Sequence, residues 1–132
     1  MPIELEYNKK LNYVLITAIG NPTVEENDLA MGKICDSDVM KADVNSLLDT
    51  RQLLFDHIDI EYIKKFVKVR KKFNEARGEA KVAILSNSRL AAPLIKLFTI
   101  LSKELSQKIQ VFKTVEEAEF WLCEELLNTS NS

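Results

Sequence analysis

Residues 81–98 read KVAILSNSRLAAPLIKLF, and this stretch decides the fold. Val82 to Leu85 form a continuous apolar run, the mark of a strand covered on both faces, which in turn implies parallel neighbours. Ser86-Asn87-Ser88-Arg89 is a polar knot of turn formers, with Ser88 placed to cap a helix and Pro93 within its first turn. The helix expected from Leu90 to Leu105 is apolar on nearly every side. Its stripe Leu90, Leu94, Leu97/Phe98, Leu101 and Leu105 is read as core. Ala91, Ile95 and Ile100 fall off that stripe, and a neighbouring helix, a second copy of the chain or an apolar ligand would have to cover them.

Working outward, the same strand-then-helix alternation recurs. IELEYN and NYVLITAIG favour β conformation, and the short link Lys9-Lys10-Leu11 makes them an antiparallel hairpin. Thr23-Val24-Glu25-Glu26 reads as a capping box that opens a helix over Val24–Cys35. A short strand is expected over Asn45–Thr50. Asp59 caps a long helix closed by Gly78, with Ile63, Phe66, Val67, Arg70 and Phe73 as its buried face and lysines opposite. KIQVF reads as another buried strand. Thr114-Val115-Glu116-Glu117 repeats the capping device before a last helix through Leu127, with Glu116, Glu117, Glu119, Glu124 and Glu125 as an exposed acidic face. The order β-β-α-β-α-β-α-β-α predicts an α/β fold: a mixed, mostly parallel sheet with about four helices packed on it.

Composition sets the bounds. At 132 residues the chain suits one domain, expected over residues 1–127, with a flexible tail at 128–132. A hydrophobic content of 46% with 29% charged residues excludes wholesale disorder. No apolar run is long enough to span a bilayer, and MPIELEYNKK lacks a signal-peptide pattern, so a cytoplasmic location is the default. Cys35 and Cys123 have no paired spacing and are expected as reduced thiols. The NTS at 128–130 matches a glycosylation acceptor that has no meaning without export.

Charge is uneven. Residues 61–81 carry 8 basic and 3 acidic side chains, while residues 1–60 carry 5 and 11. Lys64, Lys65, Lys68, Lys71 and Lys72 form the basic face of the long helix. It lacks the interleaved aromatics and glycine-rich loops of nucleic-acid binders, so no nucleic-acid partner is expected. Weak contact with a membrane surface stays open, as does homodimerisation.

The chain resembles the SpoIIAA-like branch of the STAS superfamily, the sulfate transporter and anti-sigma-factor antagonist domains, small bacterial proteins also described as STAS/CRAL-TRIO-like. The resemblance is carried by YVLITAIGNPTVEE, LLDTRQLLF, KVAILSNSRLAAPLIKLF and, most specifically, VFKTVEEAEFWL, and it spans residues 10 to 127. It implies a mixed sheet with helices around it. Anti-sigma-factor antagonists carry a phosphorylatable serine at a strand-to-helix turn. The corresponding turn here, Phe55-Asp56-His57-Ile58-Asp59, has no hydroxyl, which argues against a phosphoserine switch at that place.

In parallel sheets ligands favour the crevice beyond the strands' carboxyl ends. There the sequence delivers Arg51, Ser86, Asn87, Ser88 and Arg89, together with Lys113 and Thr114. Hydroxyls, free N–H groups at a helix start and guanidinium groups suit a phosphate or carboxylate. The plainer alternative makes Asn87 a turn residue, Ser88 a cap, Arg89 the partner of an acid, and Asp49–Arg51 an ion pair. Phe55, His57, Ile95 and Phe98 are candidate pocket residues. His57, the only histidine, is a candidate base without a local nucleophile. No nucleotide loop, zinc spacing or nucleophile elbow occurs, so no cofactor or metal is expected. The expected function is a non-enzymatic binding or regulatory module for a partner protein or small anionic ligand. The alternative is a carrier of an apolar, lipid-like ligand, and a hydrolase using His57 comes last.

Overall fold

The computed structural model describes residues 2–124 and 126. The expected tail at 128–132 and the domain end at 127 lie outside these residues. Strands β1 (Ile3–Asn8) and β2 (Tyr13–Gly20) form the antiparallel hairpin; Asn12, at φ 53°, takes the left-handed position that its link requires. Strands β3 (Asn45–Leu53), β4 (Lys81–Leu85) and β5 (Lys108–Phe112) then add in parallel, giving the order β1-β2-β3-β4-β5. The expected mixed, mostly parallel sheet is therefore what the chain forms.

Helices α1 (Val24–Cys35), α2 (Ile60–Lys72) and α4 (Ala92–Leu101) cover one face of the sheet, and α5 (Val115–Leu122) covers the other. Strand alternation feeds both layers. Tyr13, Leu47, Ala83 and Leu85 pack under Ala118 and Leu122 of α5. Val14 packs with Ile34 of α1, while Val82 and Ile84 pack with Ala91 and Ile95. Each fully buried side chain of this size contributes about 1.5–3 kcal/mol.

The caps form where the sequence places them. Thr23 Oγ1 accepts from Glu26 N–H and the Glu26 carboxylate accepts from Thr23 N–H, at 3.1 and 3.0 Å. Asp59 accepts from Tyr62 N–H at 2.8 Å. Thr114 Oγ1 accepts from Glu117 N–H at 3.2 Å and donates to the Glu117 carboxylate, so the second box closes through the hydroxyl.

Four expectations change. The long helix stops at Lys72, and a separate short helix α3 (Asn74–Arg77) makes five helices in place of four. The break frees Asn74, whose side-chain oxygen accepts from Ser106 N–H and Gln107 Nε2 and so ties α3 to the segment leading into β5. Gly78 (φ 54°, ψ −134°) then turns the chain in a region open only to glycine.

Strand β3 runs three residues beyond Thr50, with a bulge opposite Thr17/Ile19. Strand β5 is an edge strand with exposed Lys108, Gln110 and Val111, because it has one neighbour and not two. Helix α4 is shorter than expected and rotated. Its buried line is Ala91, Ile95 and Ser102, while Leu90 is 89% and Ile100 47% exposed. A helix apolar on nearly every side carries little phase in its sequence; here the packing of Ala91 and Ile95 on Val82 and Ile84 accompanies the contact of Ser102 with Arg70 on α2.

Candidate functional site

A groove of about 580 Å³ opens beyond the carboxyl ends of β4 and β5, alongside α4. The turn Ser86–Arg89 forms one wall. Lys96 and Thr99 of α4 stand across from Lys113, and Ala92, Ile95, Val111 and Phe112 supply apolar surface. No carboxylate lines the groove, and among the described residues Arg89, Lys96 and Lys113 take part in no ion pair. Three cations and no acid give the groove a positive field, focused by its apolar walls.

The turn itself is tightly built. Ser86 is buried, its N–H donates to the Phe112 carbonyl at 3.0 Å, and its hydroxyl accepts from Ser88 N–H at 3.4 Å. Ser88 Oγ accepts from Ala91 N–H at 3.3 Å, one residue ahead of the helix it was expected to cap. Ala92 N–H reaches the Arg89 carbonyl at 3.4 Å, and Pro93 has no N–H. The donors expected at the start of this helix are thus largely consumed, and the groove's affinity for anions rests on side-chain cations. Asn87 and Arg89 are exposed.

Arg51 does not join them. Its Nε and one terminal nitrogen donate to the Asp49 carboxylate at 3.0 and 2.9 Å, and its backbone N–H adds a third bond at 3.0 Å. Burial pushes the Asp49 carboxyl up, but these bonds outweigh it and hold the group below its ordinary value. Asp49 pairs in register with Leu85 on the α5 side, and Glu116 of α5 adds to the field on Arg51. The two guanidinium groups expected around one hollow are therefore not gathered by it: Arg89 lines the groove, and Arg51 is the ion-paired partner of Asp49.

The pocket candidates divide as well. Phe55, Ile95 and Phe98 line a partly open apolar pocket of about 80 Å³ between the sheet and helices α2 and α4, walled also by Leu48, Ile63 and Phe66. Ile95 faces both the chamber and the groove and so separates them. His57 packs edge-on against Tyr62 with ring centroids 5.3 Å apart, and both its nitrogens are buried without a hydrogen-bond partner. Asp59 is engaged as the α2 cap and Asp56 is exposed, so no carboxylate orients the imidazole as a base.

Glu119 is not part of the exposed acidic face. It accepts from the Tyr13 hydroxyl at 2.6 Å, and burial followed by this carboxylate raises the Tyr13 pKa well above the ordinary tyrosine value. Glu125 lies outside the described residues. Cys35 and Cys123 are free thiols, both pushed up chiefly by burial. Among the described residues no group of three or more His, Cys, Asp or Glu could hold a metal ion, and no helix is long and apolar enough to cross a membrane.

Lys96 and Thr99 of the groove escape a reading of the sequence. Their positions, four residues beyond Ala92 and beyond Ile95, become informative only once the buried line of α4 is known.

No family model matches the chain, and no curated protein matches it in sequence. A solved structure does: an uncharacterized protein of the DUF3478 family from Shewanella loihica PV-4, described as having a SpoIIAA-like fold. It aligns over 92% of both chains with a TM-score of 0.63 at 18% identity. That likeness, with the strand order and helix placement above, shows that this chain has a SpoIIAA-like α/β fold.

Proposed function

We propose that the chain is a non-enzymatic binding module whose strand-end groove takes an anionic group, a phosphate or carboxylate, borne by a partner protein or a small ligand. The observation that carries this reading is the conjunction of Arg89, Lys96 and Lys113 around apolar walls with no acid among them. Lysines supply point charges and Arg89 a planar fork, a combination that accepts an oxyanion attached to an apolar body. The expected turn serine of the antagonists is absent from residues 55–59, so the reading is of a receptor for an anion and not of a phosphorylated switch.

The test is a thermal-shift titration with phenyl phosphate against chloride at equal ionic strength. Wild type should rise with phenyl phosphate, and the exposed substitutions Arg89→Ala and Lys113→Ala should each remove most of that rise. An unchanged rise in both variants overturns the reading.

Carriage of a long acyl chain has less support, because the apolar pocket of about 80 Å³, roughly half the ~150 Å³ cavity known to admit benzene, is too small to enclose one. A hydrolase using His57 lacks both a carboxylate partner and a facing nucleophile.

A further inference from the structure

Arg70 and Arg77 are 4% and 3% exposed, and among the described residues neither takes part in an ion pair. Arg70 donates to Ser102 Oγ at 3.0 Å and to Gln107 Oε1 at 3.3 Å, and lies 5.0 Å from the Phe98 ring centre. Arg77 donates to the Ala42 carbonyl at 2.6 Å and, at 3.5 Å, to Ser46 Oγ. Among the described residues each guanidinium donates only to neutral oxygens, through two of its five N–H groups.

Burial first, and then the field of Arg77, push Arg70 down to about 10. Burial lowers Arg77 as well, partly offset by Cys35 and Asp43. Two buried like charges, neither in an ion pair and only one of them offset by a neighbouring acid, are a costly arrangement that an added negative charge would relieve.

Both arginines line one small chamber of about 50 Å³, together with Ser46 and Gln107. It adjoins the apolar chamber of about 80 Å³, the two sharing Asn27, Leu48, Phe66 and Phe98 as walls. A buried cationic end next to an apolar end is the pattern complementary to a small amphiphilic anion. Water would fill the polar end but bring no charge. A phosphate dianion would leave the apolar end empty.

We infer that the paired chambers form a site for a short-chain monocarboxylate, its carboxylate between Arg70 and Arg77 and its alkyl tail past the Phe66–Phe98 pair. By proportion to a ~150 Å³ cavity that holds benzene, the apolar end takes about three carbons, a butyrate-sized tail. This site is separate from the strand-end groove and does not depend on it.

The experiment measures thermal shift and ligand-detected NMR on the full chain with acetate, butyrate and octanoate. Sodium gluconate at equal ionic strength is the reference. Butyrate should stabilise more than acetate, octanoate should do no better than gluconate, and the butyrate methyl should show contacts to the Phe66 or Phe98 rings. Arg70→Met should weaken butyrate about tenfold or more, the worth of a charge-assisted hydrogen bond. Arg77→Met provides the second variant should the first fail to fold.

Equal responses to gluconate, acetate and butyrate would overturn the carboxylate assignment. So would butyrate binding that survives both arginine substitutions, or no butyrate contact with either ring. Loss of the butyrate response in Arg89→Ala would place the ligand in the groove and likewise overturn this site.

Discussion

Replacing Arg70 by methionine should leave the ligand-free fold within about 1 kcal/mol of the wild type, although Arg70 is buried and hydrogen-bonded. Burial and Arg77 hold the guanidinium down to about 10, and a fall of that size below its ordinary value costs about 3 kcal/mol at neutral pH. Methionine is shorter, ending about where Nε lies, but is flexible enough to fill most of the space beside Phe98. The losses are the bonds to Ser102 and Gln107 and the cation over Phe98.

Gln107 stays anchored by its Nε2 bonds to the Gly78 carbonyl at 2.6 Å and to Asn74 Oδ1 at 3.0 Å, so one orphaned oxygen costs about 1–2 kcal/mol. The buried Ser102 hydroxyl loses its donor at about 1 kcal/mol, and the lost cation–π contact adds about 1 kcal/mol. The balance lies between zero and a loss of about 1 kcal/mol, a Tm change of roughly 0 to −4 °C. Arg70→Ala, which also opens a void, should fall about 2–4 kcal/mol below the methionine variant.

Urea and thermal unfolding at neutral pH in gluconate measure both. A charged base depressed in the folded state binds its proton more tightly when unfolded, so stability rises with pH through its folded value. The wild type should therefore gain on Arg70→Met as pH passes about 10. A Tm for Arg70→Met more than about 8 °C below wild type would refute the reasoning, because the neutral hydrogen bonds would then outweigh the charge burial.

Other outcomes follow from single contacts. Tyr13→Phe should lose about 1–2 kcal/mol at neutral pH with the bond to Glu119. The folded Tyr13 hydroxyl keeps its proton above the ordinary tyrosine value of 10.0, so its contribution is complete below that pH and declines above it. Alkaline unfolding curves should flatten in the variant, leaving the smaller slope due to Tyr62, which burial also raises. His57→Phe removes two buried unpartnered nitrogens and should raise stability by about 1 kcal/mol; a loss on calorimetry would mean that the ring has a partner in solution. Leu90→Ala should shift stability by no more than about 0.5 kcal/mol, whereas Ala91→Leu should cost about 1–3 kcal/mol. The reverse order in chemical denaturation would put α4 back in its sequence-expected phase.

The legible parts of this fold are those fixed within a few residues. The caps at Thr23, Asp59 and Thr114 and the doubly covered strand Val82–Leu85 form as read, because a hydroxyl three residues from its donor or a run of branched side chains needs no distant help. The rotation of α4 was not legible, since Leu90, Leu94 and Leu97 are as apolar as Ala91 and Ile95. The face is selected by tertiary contacts, the packing of Ala91 and Ile95 on the sheet and the bond from Arg70, 32 residues away, to Ser102.

KIQVF has the composition of a central strand, and its edge position is a property of sheet order. Arg51 was misplaced by the bulge that extends β3 past Thr50. Of the candidate site, the turn Ser86–Arg89 was readable as a strand-to-helix junction. The opposing Lys96 and the buried pair Arg70 and Arg77 lie on neighbouring elements, but their convergence depends on the rotation of α4 and on the break between α2 and α3.

The sheet's spatial order is also its order along the chain. Each new strand can therefore dock on the one synthesised just before it, with no need to insert between strands already joined. Such a layout suits stepwise growth on the ribosome, from the first hairpin outward. The hydrogen bond between Tyr13 and Glu119, which spans 106 residues, can form only when the last helix folds back over the finished sheet. That clasp belongs to the late steps of folding, and a nascent protein halted before Glu119 would show the sheet's hairpin end without it.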